Sequence, residues 1–302
     1  MLINVTFDQS QSSLPTGFVN DVEYVVNTFD TLFTANVTIN LHVGFGEIDG
    51  MSMSANALGE SYAPQYLQES YSSARSSLIS QGAPGSASLP TSAPLSGSLY
   101  MPQAEAQALG LTAAVSTSYV GFSSGAPLSY GINTTPAGNQ YYFVGVVEHE
   151  ITEVMGRVSL LDGQPSYYST MDLFRYVAAG TRAVATSSGG TAYFSTDNGN
   201  TNLGTWNNDP NNGDLGDWYP QGPAAGGFDS FNDYSYPGVI NALSANDITL
   251  MEALGWSTLT DGILVAATTA EAVQGGSAVT LRGLAPVIVD SGKTTLTSAS
   301  NS

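Results

Sequence analysis

Residues 141–159 read YYFVGVVEHEITEVMGRVS, and this stretch decides how the remainder of the chain is interpreted. Its apolar side chains recur at steps of three and four residues, at Val144, Val147, Ile151, Val154 and Val158. That spacing predicts an amphipathic α-helix with one buried face. The other faces of such a helix are available for polar side chains with a chemical role.

A second face of this helix carries His149 and Glu153, which are four residues apart and therefore within reach of one ion. Glu150 follows His149 directly. The order H-E-x-x-E is related to H-E-x-x-H, in which the residues at i and i+4 bind zinc and the glutamate activates water. It predicts His149 and Glu153 as metal ligands and Glu150 as the general base. The alternative is an acidic helix face, on which Glu153 pairs with Arg157.

Further segments follow in an order that carries a resemblance. Gly156 lies seven residues after His149, as in the metzincin pattern H-E-x-x-H-x-x-G-x-x-H. Downstream come MDLFRY at 171–176, GDW at 216–218, YPGV at 236–239 and DITLMEALGW at 247–256. With these segments, the first 256 residues resemble a group of bacterial secreted metzincin-like metalloproteases.

The resemblance implies an α/β fold of the metzincin (zincin) type. Such a fold has a mixed, twisted sheet, an active-site helix and an irregular C-terminal subdomain that is closed by a helix. Residues 1–256 would form this domain. Residues 257–302 are rich in Ala, Thr, Gly and Val, and we expect a tail or the start of a β module there.

The third ligand is where the chain departs from the resembled family. Ser159 stands where the metzincin pattern has its last histidine. The family segment that supplies a late ligand corresponds to 216–218, so the resemblance implies Asp217, although an aspartate in this Asn/Asp/Gly-rich loop can simply form a turn. Asp172, in the apolar run MDLFRY, is the rival third ligand. Its other interpretation is a buried ion pair with Arg175 or Arg157.

One imidazole and two carboxylates suit zinc, and the carboxylates widen the choice to manganese, iron or calcium. An oxygen-rich loop could hold a separate, structural calcium ion through Asp197, Asn198, Asn200, Asp209, Asn212 and Asp214. His42, on the polar face of a predicted strand, is more consistent with a surface residue than with a ligand.

The composition excludes several classes of site. The chain has 302 residues, two histidines and no cysteine, which excludes disulfides, Cys-ligated metals and a site with three histidines. Six Lys and Arg against 25 Asp and Glu give a net charge of −19, so we expect no nucleic-acid partner. The sequence has no apolar run of about 18 residues, which predicts that no segment spans a membrane. Only 10% of the residues are charged, which is typical of a secreted, extracellular bacterial protein, although no signal segment is visible.

Hydrophobic periodicity predicts the main elements of the domain. We expect strands at 2–7, 37–45 and 115–122, with the last as the edge strand beside the cleft. We expect further helices at 16–33, 63–79, 101–110 and 244–255.

The sequence thus favours a secreted metal-dependent peptidase that acts on peptide or protein substrates. The alternative is a catalytically inactive metzincin-like surface, matrix or calcium-binding scaffold protein. A glycosidase pair formed by Glu150 and Glu153 ranks last, because carboxylates three residues apart on one helix cannot flank a sugar from opposite faces. The sequence leaves the oligomeric state open.

Overall fold

The computed structural model describes residues 1–161, 166–186, 190–211, 213–219 and 228–258, together with the backbone of five strands between 262 and 298. These residues form a mixed α/β structure. Its α-helices are α1 (Phe18–Leu32), α2 (Tyr71–Gln81), α3 (Gln103–Ala108), α4 (Phe143–Val154) and α5 (Ala245–Ala253). Short 3-10 helices lie at Gln11–Ser13, Ser86–Ser88 and Met171–Phe174.

The strands of the first 258 residues are mostly short. In chain order they are β1 (Leu2–Phe7), β2 (Thr38–Phe45), β3 (Glu47–Ile48), β4 (Met51–Ser52), β5 (Gly59–Tyr62), β6 (Tyr66–Glu69), β7 (Ser98–Pro102), β8 (Ser116–Phe122), β9 (Leu128–Ser129), β10 (Tyr141–Tyr142), β11 (Tyr167–Tyr168), β12 (Arg175–Ala178), β13 (Thr181–Arg182), β14 (Ala192–Phe194) and β15 (Gly204–Trp206).

The principal sheet has four strands in the order β1-β2-β8-β5. The pairs β1–β2 and β2–β8 are parallel, whereas β5 runs antiparallel to β8. The parallel pair β1–β2 is joined through α1, because parallel neighbours need a long crossover connection. The antiparallel strand β5 is thus the edge of a mixed sheet.

Aromatic side chains join the sheet to the two long helices. The ring of Phe143, at the start of α4, stacks on Phe18 of α1 with 4.9 Å between the ring centroids. Phe122, at the end of β8, meets the same ring edge to face at 5.0 Å. All three side chains are fully buried. This cluster fixes where α4 begins and so sets the position of the residues further along it.

The helix α4 ends at a glycine. Gly156 has a φ of +120°, which favours a residue without a Cβ atom. A Cβ atom there would also lie 2.5 Å from Glu105 Oε2. Val158, which the periodicity places on the helix, therefore lies beyond its end, where it lines the same cleft as His149.

The C-terminal part of the domain has less regular structure. Its antiparallel sheet has the order β13-β12-β14-β15. Trp206 of β15 stacks on Trp218 with 4.2 Å between ring centroids. The closing helix α5 begins with a capping box, in which Ser244 and Asp247 satisfy each other's backbone N–H groups.

The structure confirms most of the predicted elements and corrects two. The strands predicted at 2–7 and 37–45 and the helices at 16–33 and 244–255 are present with small changes of boundary. The helix expected at 63–79 begins only at Tyr71, because Tyr66–Glu69 pairs with β7 as a strand. The predicted edge strand was wrong. Ser116–Phe122 is an interior strand, and Gly59–Tyr62 forms the edge.

The tail also contains strands. They are β16 (Gly262–Ala266), β17 (Ala270–Gln274), β18 (Ser277–Leu281), β19 (Pro286–Asp290) and β20 (Thr294–Ser298). Strand β16 pairs with β19, and β17 pairs with β18 and β20, all antiparallel. The domain boundary near residue 256 stays a prediction. Across the helices that the structure describes, none has the length and apolarity to cross a bilayer.

Candidate metal centre

The helix α4 brings His149, Glu150 and Glu153 to one side of the principal sheet. Asp217 reaches the same place from the C-terminal part of the chain. One ligand atom each from His149, Glu153 and Asp217 lies within 4.8 Å of the others. Within the described residues, this is the group of metal-binding side chains that could hold a metal ion.

The imidazole of His149 is oriented by a backbone carbonyl. Its Nδ1 atom lies 2.8 Å from the carbonyl oxygen of Ser230 and donates a hydrogen bond to it. Its Nε2 atom consequently faces the two carboxylates, 3.3 Å from Glu153 Oε1 and 3.4 Å from Asp217 Oδ1. Metal-binding histidines are commonly held in this way, with one nitrogen donating to a carbonyl and the other free to ligate.

Asp217 is carried to the site by the residue that follows it. The Trp218 ring is buried against Trp206, and its Nε1–H donates to Asp247 Oδ1 at 2.7 Å. The backbone carbonyl of Asp217 itself accepts a hydrogen bond of 2.8 Å from the N–H of Asn207. Trp218 thus serves as a packing anchor that fixes the loop and aims the neighbouring carboxylate at His149.

A buried arginine binds both carboxylates. Arg157 donates through Nη1 to Asp217 Oδ1 and through Nη2 to Glu153 Oε1, the latter at 3.3 Å. Its side chain has no exposed surface. The other oxygen of Glu153, Oε2, accepts a hydrogen bond of 2.7 Å from Ser61 Oγ on the edge strand β5. The pairing of Glu153 with Arg157 is therefore present, and the third candidate ligand, Asp217, converges on the same place as well.

The charges of this cluster depend on one another. Burial by itself would lower the pKa of His149, but the carboxylates of Asp217 and Glu153 outweigh that effect and raise the pKa to about 10. Burial would raise the pKa of Glu153, but His149 and Arg157 outweigh that effect and lower the pKa to about 2. In the metal-free protein, His149 is therefore protonated and Glu153 ionised at neutral pH.

Glu150 lies against the edge strand. Its Oε1 atom would be 2.5 Å from a Cβ atom at Gly59, so glycine is the residue that allows the strand to pass this close. Burial and the neighbouring Glu153 carboxylate raise the pKa of Glu150 well above its ordinary value. A carboxyl group in this state gives up its proton more readily once positive charge is added nearby.

These side chains line a cleft of about 1000 Å³. The helix α4, the edge strand β5 and the segment 232–235 all contribute to it. As expected, the cleft lies between an edge strand and the helix. The edge strand is β5, however, and not Ser116–Phe122. Tyr234 is among the lining residues, and nearly half of its surface is exposed.

The structure places Asp172 outside the group of three. Its carboxylate accepts hydrogen bonds from Ser159 Oγ at 2.7 Å, Leu160 N at 3.0 Å and Ser169 N at 2.8 Å. It therefore anchors the chain on both sides of the segment 162–165. The direct ion pair expected with Arg175 or Arg157 is replaced by these donors, and Arg175 binds the carbonyls of Leu215 and Asn207 instead.

The remaining candidates have local roles in the described residues. His42 is partly exposed and its Nδ1 lies 3.1 Å from Asp8 Oδ1. In the oxygen-rich loop, the Asp197 carboxylate binds Ser195 Oγ and the backbone and side chain of Thr201, which stabilises its own turn. Asn212, a proposed calcium ligand in that loop, lies outside the described residues.

Comparison with known proteins identifies no relative. No protein family, curated protein or solved structure matches the chain.

Proposed function

We propose that the chain is a metal-dependent peptidase in which His149, Glu153 and Asp217 hold the metal ion. The observation that carries the proposal is the convergence of these three side chains, next to Glu150, in one cleft. The donor set fits zinc, which is bound by imidazole nitrogen and carboxylate oxygen in sites with three protein ligands and one open position. Manganese or iron would accept the same donors.

Glu150 is the residue to which we assign proton transfer. A metal ion at the site would polarise the scissile carbonyl and lower the pKa of a bound water. Glu150 would accept the proton from the attacking water and pass it to the leaving amine. Because the pKa of Glu150 is raised in the metal-free protein, we expect it to work as a base only when the added cation favours its ionised form.

The edge strand supports a peptide as the substrate. Gly59–Tyr62 pairs with Ser116–Phe122 along one side and lines the cleft beside α4. An extended peptide could add to the sheet there as a further strand, with backbone hydrogen bonds that hold its scissile bond near His149. We propose that substrates are peptides or unfolded protein segments, because both present such a backbone.

We further propose that the domain is metzincin-like and secreted. The mixed sheet with an antiparallel edge strand beside the helix of His149 supports the first point. The low content of charged residues and the absence of cysteine support secretion.

Hydrolysis of fluorescently labelled casein by the full chain tests the enzyme. We expect activity that a chelator abolishes and zinc restores, and Glu150→Gln should reduce it by about 10²–10⁴-fold, the usual contribution of general acid–base catalysis. Glu23→Gln is the control, because Glu23 is exposed on α1 and does not line the cleft. Hydrolysis that survives Glu150→Gln contradicts the assignment of the base.

A non-enzymatic scaffold is the second candidate, and Arg157 is the observation that favours it. The cations of Arg157 and protonated His149 lie against the carboxylates of Glu153 and Asp217, so the four groups can balance one another without a metal ion. Metal analysis of the purified protein separates the two functions. Zinc, manganese or iron at one ion per chain supports the peptidase, whereas calcium alone or no metal supports the scaffold.

A further inference from the structure

We propose that Arg157 determines which metal this centre accepts. By binding both carboxylates, it limits the oxygens that they can offer and thereby selects an ion of low coordination number, such as zinc, against calcium. This inference rests on the proposed metal site, and it assigns to Arg157 a positioning role rather than contact with a substrate.

The guanidinium group of Arg157 is fixed independently of the carboxylates. Its Nε donates to Thr152 Oγ1 at 3.1 Å, its Nη1 to the carbonyl of Gly216 at 3.1 Å and its Nη2 to the carbonyl of His149 at 3.2 Å. The ring of Phe231 lies 4.4 Å from its central carbon. A group held by backbone carbonyls and an aromatic face keeps its position whether or not a metal ion is bound.

Each carboxylate presents one oxygen to the imidazole. Glu153 uses Oε2 to accept from Ser61, and its Oε1 is the atom nearest His149 Nε2. Asp217 approaches the same nitrogen with Oδ1. Arg157 donates to both of these oxygens, which restricts rotation of the two carboxylates. The arrangement therefore favours one metal bond from each carboxylate, not bidentate coordination.

Zinc and calcium respond differently to such a restriction. Zinc is satisfied by about four ligands, of which one is an imidazole nitrogen. Calcium takes about 6–8 oxygen ligands, often from bidentate carboxylates, and gains little from nitrogen. The positive charge of Arg157 repels both divalent ions alike, so it cancels in the ratio of their affinities. That ratio therefore reports the coordination restriction rather than the charge.

The test is the ratio of zinc to calcium affinity, measured by isothermal titration with each metal alone on the full, metal-stripped chain. We expect the native protein to prefer zinc and Arg157→Met to lower the ratio at least about tenfold, the lower end of the effect of losing an outer partner of a ligand. Arg157→Lys, which keeps the charge but fewer donors, should fall in between. Circular dichroism establishes that each variant is folded before titration.

Two further variants keep the test decisive. Ser61→Ala releases Glu153 Oε2 without removing a buried charge, and it should lower the ratio as well, by a smaller factor. Arg182→Met is the matched control, because it removes a guanidinium that binds the carbonyl of Leu173 and lies over the ring of Tyr176, neither of which belongs to the site. It should change the ratio by no more than about twofold, the scatter seen for independent sites.

The outcomes distinguish this inference from the proposed function. An unchanged ratio in Arg157→Met overturns the inference whatever Ser61→Ala does, as does a native preference for calcium. If the native chain binds neither metal, the metal site and the inference fall together. Zinc selectivity that depends on Arg157, in a protein that hydrolyses no peptide, supports the inference and contradicts the peptidase.

Discussion

In residues 2–161, apolar side chains fill the space between the principal sheet and the helices α1 and α4. In residues 166–258, polar side chains form a larger share of what is buried, beside a smaller aromatic cluster. Phe18, Phe122 and Phe143 are typical of the first region, and Asp172 and Arg175 of the second. The first region is organised by hydrophobic packing and the second by hydrogen bonds to individual donors and acceptors.

The candidate site lies where these two regions meet. The helix α4 supplies His149, Glu150 and Glu153 with a spacing that the helix geometry fixes. The C-terminal part supplies Asp217 and the carbonyl of Ser230 through loops that polar contacts hold in place. The comparison shows that regular structure sets the spacing of two candidate ligands, whereas an irregular region supplies the third and orients His149.

The largest expected loss of stability comes from removing a core ring in the first region. Phe143→Ala should lower the free energy of unfolding by about 3–5 kcal/mol, because the buried ring leaves a cavity among three aromatic side chains. Chemical denaturation measures the change. Tyr219→Ala is the control, because half of that side chain is exposed. A loss below about 1.5 kcal/mol for Phe143→Ala would show that packing is not what holds α4 in place.

In the second region, removal of one carboxylate should lower the free energy of unfolding by somewhat less. Asp172→Ala leaves the donors on Ser159, Leu160 and Ser169 without their acceptor, which we expect to cost about 2–3 kcal/mol. Zinc affinity of the folded protein should nonetheless stay within about twofold. Asp217→Ala should lower that affinity by more than about 100-fold, beyond the loss of an outer partner. Equal losses of affinity in the two variants would restore Asp172 as the third ligand.

The interface of the two regions should be sensitive to alkaline pH. The pKa of His149 is raised from 6.5 to about 10, so its protonated form is favoured by folding of the metal-free protein. Its contribution is fully present below about pH 6.5 and is lost as the pH rises through about 10. The unfolding free energy should therefore fall across this range in the native protein and fall less in His149→Gln.

The second histidine supplies the control for this pH profile. His42→Gln removes a partly exposed imidazole that contacts Asp8 at the sheet surface. Its profile should follow that of the native protein. If His149→Gln and the native protein lose stability in parallel between pH 7 and 10, the carboxylates do not hold the proton on His149.

Two helix caps give the smallest expected effects, one in each region. Ser70 accepts a hydrogen bond from the N–H of Ser73 at the start of α2, and Ser244 caps α5 as part of a capping box with Asp247. Each substitution by alanine should cost about 1 kcal/mol, with the larger loss at Ser244, because the N–H left without an acceptor there belongs to buried Asp247, whereas in α2 it belongs to exposed Ser73. Thermal unfolding measures both. A larger loss at Ser70 would reverse the order that we expect.

The sequence predicts the elements whose periodicity reflects burial. The apolar positions of α1, α4 and β2 repeat with the period of their own element, and these elements lie where the pattern predicts them. Strand β5 (GESY) has no such pattern, because its position depends on pairing with β8. For the same reason the segment Tyr66–Glu69 resembles the start of a helix until its pairing with β7 is known.

The same distinction applies to the site. His149, Glu150 and Glu153 follow from helical spacing alone, whereas Asp217 enters only through a family resemblance that aligns a loop. The contacts of Arg157 with Asp217 and of Ser61 with Glu153 join residues 60 and 92 positions apart, and no local pattern encodes them. The carbonyl of Ser230 that orients His149 is a backbone group, so its role leaves no trace in the residue type.

A crystal structure of the zinc-loaded full chain, with anomalous diffraction measured at the zinc absorption edge, tests the central claim most directly. We predict one zinc ion per chain, bonded at about 2.0–2.2 Å to His149 Nε2 and to one oxygen each of Glu153 and Asp217. The peak should be absent from His149→Ala crystals prepared in the same way. Zinc bound elsewhere, or no zinc while Arg157 and protonated His149 together balance the two carboxylates, would contradict the account.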